Sequence, residues 1–191
     1  MPQPFLPNLL EAWQSPGRYF AQHGAPDSLR LRAALSCTDS LTRLLEEQTG
    51  QSVRVRLESQ GPLQEGGVNS ILWAKQLQLV SQSPVLARSV WLMLGEQLCL
   101  YAHSQVAVDQ LSAAARRAIE LGEEPLGSLF LEREGPVERT DLELAEAHVP
   151  DLSARLGHAG EQRYWCRRSL FRVNGTVRAR IFEIFLPVLL P

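Results

Sequence analysis

The chain has 191 residues, a formal net charge of −2, 45% hydrophobic and 21% charged residues. That length suits one domain with a substantial core and is short for two. The near-neutral balance gives no electrostatic case for nucleic acid or an anionic membrane as partner.

Three cysteines, Cys37, Cys99 and Cys166, stand far apart without a CxxC spacing. With no secretory leader evident in "MPQPFLPNLLEAW", they suggest reduced thiols and a cytoplasmic protein. Four histidines (His23, His103, His148 and His158) form no paired-ligand pattern, so no metal is expected. No run approaches 18 apolar residues, so no membrane insertion is expected.

Residues 1–35 mix prolines, aromatics and polar side chains and read as an extension packing on the domain surface, with the domain proper at 36–191. In "DSLTRLLEEQTG" Leu41, Leu44 and Leu45 give a helical stripe, Asp39 is a candidate cap and Gly50 a stop. "SVRVRLES" alternates Val53, Val55 and Leu57 with charged residues, a strand with one wet face. Residues 60–70 read as a loop with Gly66-Gly67 at its tip. "RSVWLMLGEQLCLYAHSQVAV" reads as two strands about a tight turn at Gly95-Glu96. "DQLSAAARRAIELG" is the clearest helix, from Asp109 to a stop at Gly122. "EEPLGSLFL" breaks at Pro125 and Gly127, and a short helix is predicted around "TDLELAEAH". The chain closes on "YWCRRSLFRVNGTVRARIFEIFLP", where Asn174-Gly175 is a strong hairpin signal. Two hairpins with separate helices and no βαβ alternation predict an α+β domain with an antiparallel sheet.

Unbroken pairing from Leu94 and Gln97 sets Arg88 opposite His103, two potentially cationic groups that make sense together with an anion between them. The same counting from Asn174-Gly175 sets Glu183 opposite Cys166, on a face with Ile181, Ala179, Leu170 and Arg168. A one-residue slip would reverse either assignment. Desolvation would raise the pKa of a carboxyl so placed and the arginine would lower it; the pattern leaves both directions open. On pattern alone, a glutamate near a chain end is more often a rim residue. Arg88 then reads as a solvated strand end, His103 as a satisfied histidine, and most hairpin arginines as a wet face.

Five segments, in order, resemble the chorismate pyruvate-lyase family: "DSLTRLLEEQTGQSVRVRLESQG", "RSVWLMLGEQLCLYAHSQVAV", "LGEEPLGSLF", "VERTDLEL" and "YWCRRSLFRVNGTVRARIFEIFLP". The resemblance runs from about Asp39 to Pro187. It implies a single α+β domain with an antiparallel sheet of about six strands and helical lids over a buried ligand cavity. It further implies no metal, no organic cofactor and a monomer that converts chorismate to 4-hydroxybenzoate and pyruvate for quinone biosynthesis. Arg88 matches the family arginine that holds a ligand carboxylate, and Glu183 the glutamate at the hydroxyl end of the product; these two are the catalytic candidates. Leu126, Gly127 and Leu41 match lid positions that touch the ligand. The family pattern has a second arginine where this chain reads "YAHS", so His103 and, as a substitute cation, Arg168 are further substrate-binding candidates. The competing reading is a non-catalytic module binding an aromatic carboxylate. It resembles the effector domain of GntR-type regulators, although residues 1–35 are too few for the winged helix such regulators carry.

Overall fold

The computed structural model describes residues 4–63, 72 and 84–189. Along it run β1 (Asn8–Leu9), α1 (Pro16–His23), α2 (Leu29–Ser36), α3 (Leu41–Thr49), β2 (Val53–Pro62), β3 (Val85–Leu94) and β4 (Gln97–Ala107). The remainder comprises α4 (Ala113–Leu121), α5 (Leu126–Arg133), β5 (Val137–His148), α6 (Pro150–Leu156), β6 (Arg163–Val173) and β7 (Thr176–Phe185). The expected α+β class holds, but the antiparallel sheet has seven strands, in the order β1-β5-β6-β7-β4-β3-β2, where about six were expected. Part of the N-terminal segment enters this sheet, since β1 pairs with β5 through Asn8↔His148 and Leu9↔Ala147.

Local chemistry sets most boundaries. The cap of α3 is Ser40 rather than Asp39: its hydroxyl accepts from the Arg43 N–H at 3.3 Å, and Gly50 at φ +67° ends the helix. Helix α4 starts after Ser112, leaving Asp109 in a preceding 3₁₀ turn, and ends at Gly122. Pro125 breaks the chain as expected, but Gly127 lies inside the first turn of α5. Residues 60–62 extend β2, and the Gly66-Gly67 tip lies outside the described residues. Both turn residues of the last hairpin have positive φ, +50° at Asn174 and +74° at Gly175, as a type I′ turn requires.

The helix predicted around "TDLELAEAH" is instead part of β5, a twelve-residue strand. Its Leu, Ala and Glu favour helix, but pairing with β6 on one side and β1 on the other supplies hydrogen bonds and burial that outweigh a weak propensity.

Both hairpins carry a one-residue bulge that changes their register. Leu94↔Gln97 and Met93↔Leu98 pair as counted, then Leu92 pairs with Leu100, leaving Cys99 as the extra residue. Beyond it Arg88 faces Ser104, and His103 faces Ser89. In the second hairpin Arg172 pairs with Val177 but Phe171 with Ala179, so Arg178 is extra and Glu183 faces Arg167 rather than Cys166. Each bulge carries every residue beyond it to the opposite face of what simple counting gives.

One sheet face is covered by two clusters. At one end Leu31, Leu35, Leu41 and Leu45 pack on Val90, Leu92, Leu100 and Phe185. At the other Ala115, Ile119, Leu126 and Phe130 pack on Val106, Phe171, Ala179 and Ile181. The other face carries Trp91, Tyr101, Phe182 and Ile184 against Leu72, Val149 and Leu152. No helix among the described residues is long and apolar enough to cross a membrane.

Candidate active site

A cavity of about 60 Å³ lies on the first face, at the seam between its two clusters. Sheet residues Arg88, Val90, Ala102, Ser104, Phe171, Ile181 and Glu183 line it, Arg139 lies at its side, and the starts of α3 (Leu41) and α5 (Leu126, Gly127) close it. It shares Ser40, Thr42, Gly127, Arg139 and Phe171 with a wider groove of about 820 Å³ running out between α3 and α5. The two helices meet across this opening, where the Thr42 and Ser128 hydroxyls are 3.3 Å apart.

Of the residues singled out in the sequence, Arg88, Glu183, Leu41, Leu126 and Gly127 are therefore together. His103 and Arg168 are not, because the two bulges put them on the far face. There the His103 ring meets the Ser89 hydroxyl at 3.0 Å, and Tyr101 donates to that hydroxyl at 2.9 Å. Burial and the nearby Arg180 push His103 down to about 4, so the ring is neutral at pH 7. Arg168 donates to the Glu143 carboxylate at 2.7 Å and stacks over Trp13. The anion expected between Arg88 and His103 has no geometric basis.

Arg88 is 1% exposed. Its Nη2 donates to the carbonyls of Gly122 at 2.8 Å and Glu124 at 2.9 Å, so the guanidinium caps the C-terminus of α4, where the helix dipole favours a cation. Gly122 is suited to this position, since its φ of +75° disfavours other residues and an added Cβ would lie 2.8 Å from the Leu57 side chain. Burial pushes Arg88 down to about 10, partly offset by Glu124, leaving it cationic at neutral pH.

Glu183 is clamped by two arginines. Arg167 donates through Nε at 2.6 Å and Nη2 at 2.8 Å, a two-point pair, and Arg139 donates through Nη1 at 3.2 Å. Arg167 also donates to the carbonyls of Ala34 and Cys37 at the end of α2, and Arg139 to the Ser169 hydroxyl. Burial would raise the carboxyl pKa, but Arg167 and then Arg139 hold it below the ordinary value, so Glu183 is ionised. Arg139 sits with its Cζ 4.5 Å from the Phe171 ring centroid. Neither arginine stands out in the sequence as a site residue. Arg167 falls among the hairpin arginines that read as a wet face, and Arg139 precedes a stretch whose composition predicts helix. Alternation in β6 did put Arg167 and Arg168 on opposite faces, so the bulge alone decided which would reach Glu183.

Among the described residues no group of three or more His, Cys, Asp or Glu side chains could hold a metal ion.

Fold and site together define a class: α+β proteins that enclose a cation-lined cavity between an antiparallel sheet and helical lids. A profile of the family described as "Chorismate pyruvate-lyase Rv2949c-like" matches residues 35–190, and the chain belongs to that family. It is 32% identical over 152 residues to a "Probable chorismate pyruvate-lyase" of Methylococcus capsulatus, covering 79% of this chain and 91% of the relative. A protein of the same description from Nitrosospira multiformis is 31% identical over 176 residues, covering 88% and 93%. Among solved structures, the effector domain of PhnF from Mycobacterium smegmatis shares the fold, with a TM-score of 0.54 and 16% identity over 78% of this chain and 90% of that one. A GntR-family transcriptional regulator from Bacillus cereus does so with a TM-score of 0.53 and 11% identity, over 71% and 92%.

Proposed function

We propose that the protein is a chorismate pyruvate-lyase, converting chorismate to 4-hydroxybenzoate and pyruvate and so supplying an aromatic ring for quinone synthesis. The observation that carries this reading is the pairing, in one cavity, of a buried cation on β3 with an ionised carboxylate on β7. Cavity and lids both belong to a chain of this family. The ring carboxylate would lie at Arg88 and the ring hydroxyl would donate to Glu183. A carboxylate held ionised by two guanidiniums is a weak base and a poor acid. Its part is therefore to fix the hydroxyl-bearing carbon rather than to take the proton from it.

In the reaction the hydrogen on the hydroxyl-bearing carbon leaves as a proton and the neighbouring ether carbon–oxygen bond breaks. Its electron pair goes to the departing enolpyruvate, which takes up a proton to become pyruvate. Aromaticity gained by the ring supplies the driving force, so the protein's task is orientation and stabilisation of the negative charge on the leaving group. The cavity is far smaller than the roughly 300–1,000 Å³ usual for ligand sites, so α3 and α5 part to admit substrate and close over it.

The test is incubation with chorismate in chelator-treated buffer, following 4-hydroxybenzoate by absorbance and pyruvate by a coupled dehydrogenase. Equimolar products that disappear with Arg88→Ala support the reading; no products from the folded wild-type protein refute it. The fold shared with PhnF and the GntR-family regulator favours a second reading, a non-catalytic small-molecule-binding module. Saturable 4-hydroxybenzoate binding without turnover would select it.

A further inference from the structure

Two guanidinium nitrogens of residues lining the cavity, Arg88 Nε and Arg139 Nε, are buried with no hydrogen-bond partner among the described residues. A buried N–H left unmade is costly, and two such donors on arginines lining one cavity suit acceptors that the described residues do not supply. Charge gives the same answer independently. Arg139 and Arg167 share the single carboxylate of Glu183, so among the described residues that cluster carries one uncompensated positive charge. Arg88 contributes a second, because its partners are carbonyls and the Glu124 carboxylate is itself paired with Arg133 at 2.6 Å. Arg139 is 5% exposed at its side chain, so neither charge is neutralised by bulk solvent.

Position sorts the two cations. Arg88 on β3 lies two strands across from Glu183 on β7 and two residues further along, since Arg88 pairs through Ser104 to Ile181. That is about 12 Å between backbones at ordinary sheet spacings. Arg139, in contrast, touches Glu183 directly at 3.2 Å. On chorismate the ether-bearing carbon adjoins the hydroxyl-bearing carbon, and the ring carboxylate is at the other end of the ring. A cation beside the group that takes the hydroxyl is therefore where the carboxylate of the ether substituent falls.

We propose that Arg139 binds the enolpyruvyl carboxylate of the substrate, alongside Glu183 at the ring hydroxyl, and that the Arg88–Arg139 pair makes the cavity selective for dicarboxylates. The assignment of that carboxylate rests on the lyase reading; the dicarboxylate preference does not. Arg139 thus takes the place in substrate binding that the sequence suggested for His103 or Arg168. As the leaving group departs, its developing negative charge stays next to a fixed guanidinium.

The experiment compares two ligands by calorimetry: 3-(carboxymethoxy)-4-hydroxybenzoate, which carries both carboxylates, and 4-hydroxybenzoate, which lacks the second. The wild-type protein is expected to bind the dicarboxylate at least about tenfold tighter, the worth of one charge-assisted hydrogen bond. Arg139→Gln should bring the two affinities within about twofold of each other, the dicarboxylate being weakened at least about fivefold more than 4-hydroxybenzoate. Equal weakening of both ligands would mean that Arg139 acts only by holding Glu183, and would overturn the proposal; so would a wild-type protein with no preference. Should Arg139→Gln fail to fold, Arg139→Met carries the test: a reduced preference supports the clamp, and an unaltered preference refutes it. Chorismate turnover is a separate readout. Its absence with the ligand preference intact would remove the lyase reading and leave the clamp, and its presence without that preference would remove the clamp alone.

Discussion

Replacing Glu183 by glutamine removes the one negative charge from a cluster in which Arg167 is 0% exposed and both Arg139 and Glu183 are 5% exposed at their side chains. The three hydrogen bonds involved are at 2.6, 2.8 and 3.2 Å, so the pairs are tight and screening by water is small. Glutamine keeps one acceptor oxygen but turns an amide donor toward guanidinium donors, leaving two buried cations with no counter-charge. Breaking a buried pair in this way costs about 3–5 kcal/mol, a large part of the roughly 5–15 kcal/mol that holds a domain together. As an internal comparison, Arg43 and Glu47 on α3 are 79% and 62% exposed. Glu47→Gln should therefore change stability by no more than about 0.5 kcal/mol. The assay is urea unfolding of the wild type and both variants at pH 7, read by tryptophan fluorescence and by far-UV circular dichroism. A Glu183→Gln loss below about 1 kcal/mol, or one equal to that of Glu47→Gln, would refute the view that the cluster is a dry ion-paired element of the fold.

Four further outcomes follow from the same geometry. His103 sits near 4 when folded against 6.5 when free, so the unfolded chain binds the extra proton between those values. Stability is full above about pH 6.5 and falls by about 3 kcal/mol by pH 4, a slope that His103→Gln should flatten in urea melts. Glu183 acts in a separate, lower window: its depressed pKa adds stability above the ordinary carboxylate value, lost as pH falls through the folded value. The Thr42–Ser128 contact joins the two lids at 3.3 Å, so Ser128→Ala should speed 4-hydroxybenzoate dissociation about two- to tenfold in stopped-flow displacement. Arg168→Gln should leave 4-hydroxybenzoate affinity within about twofold of wild type while Arg88→Gln lowers it at least about tenfold, a contrast that tests the register directly.

The turns were legible because their chemistry is local. Asn174-Gly175 accepts two positive φ values, Gly50 and Gly122 stop helices, and Pro125 breaks the chain before α5. Glu183 could be identified as a misfit among Phe182, Ile184 and Phe185, and its sharing a face with Ile181 follows from strand alternation. What surrounds it could not be read. Cys99 and Arg178 are ordinary residues for a strand, and nothing in their types marks a bulge, yet each reverses every side chain beyond it. One extra residue at Cys99 took His103 from Arg88 to Ser89, and one at Arg178 exchanged Arg168 for Arg167 at Glu183. Arg139 escaped notice for a different reason: the stretch from Leu142 to Ala147 is made of helix formers, and pairing on both edges makes β5 a strand. Its bulge at Asp141, with φ +51°, is another irregularity that sequence did not show.

The most direct test of the central claim, that the cavity between sheet and lids is the ligand site, is a crystal structure of the protein with 4-hydroxybenzoate. The ring is expected under Leu41 and Leu126, with its carboxylate on Arg88 and its hydroxyl on Glu183. A ligand on the opposite face beside His103 and Arg168, or one confined to the outer groove between α3 and α5, would contradict it.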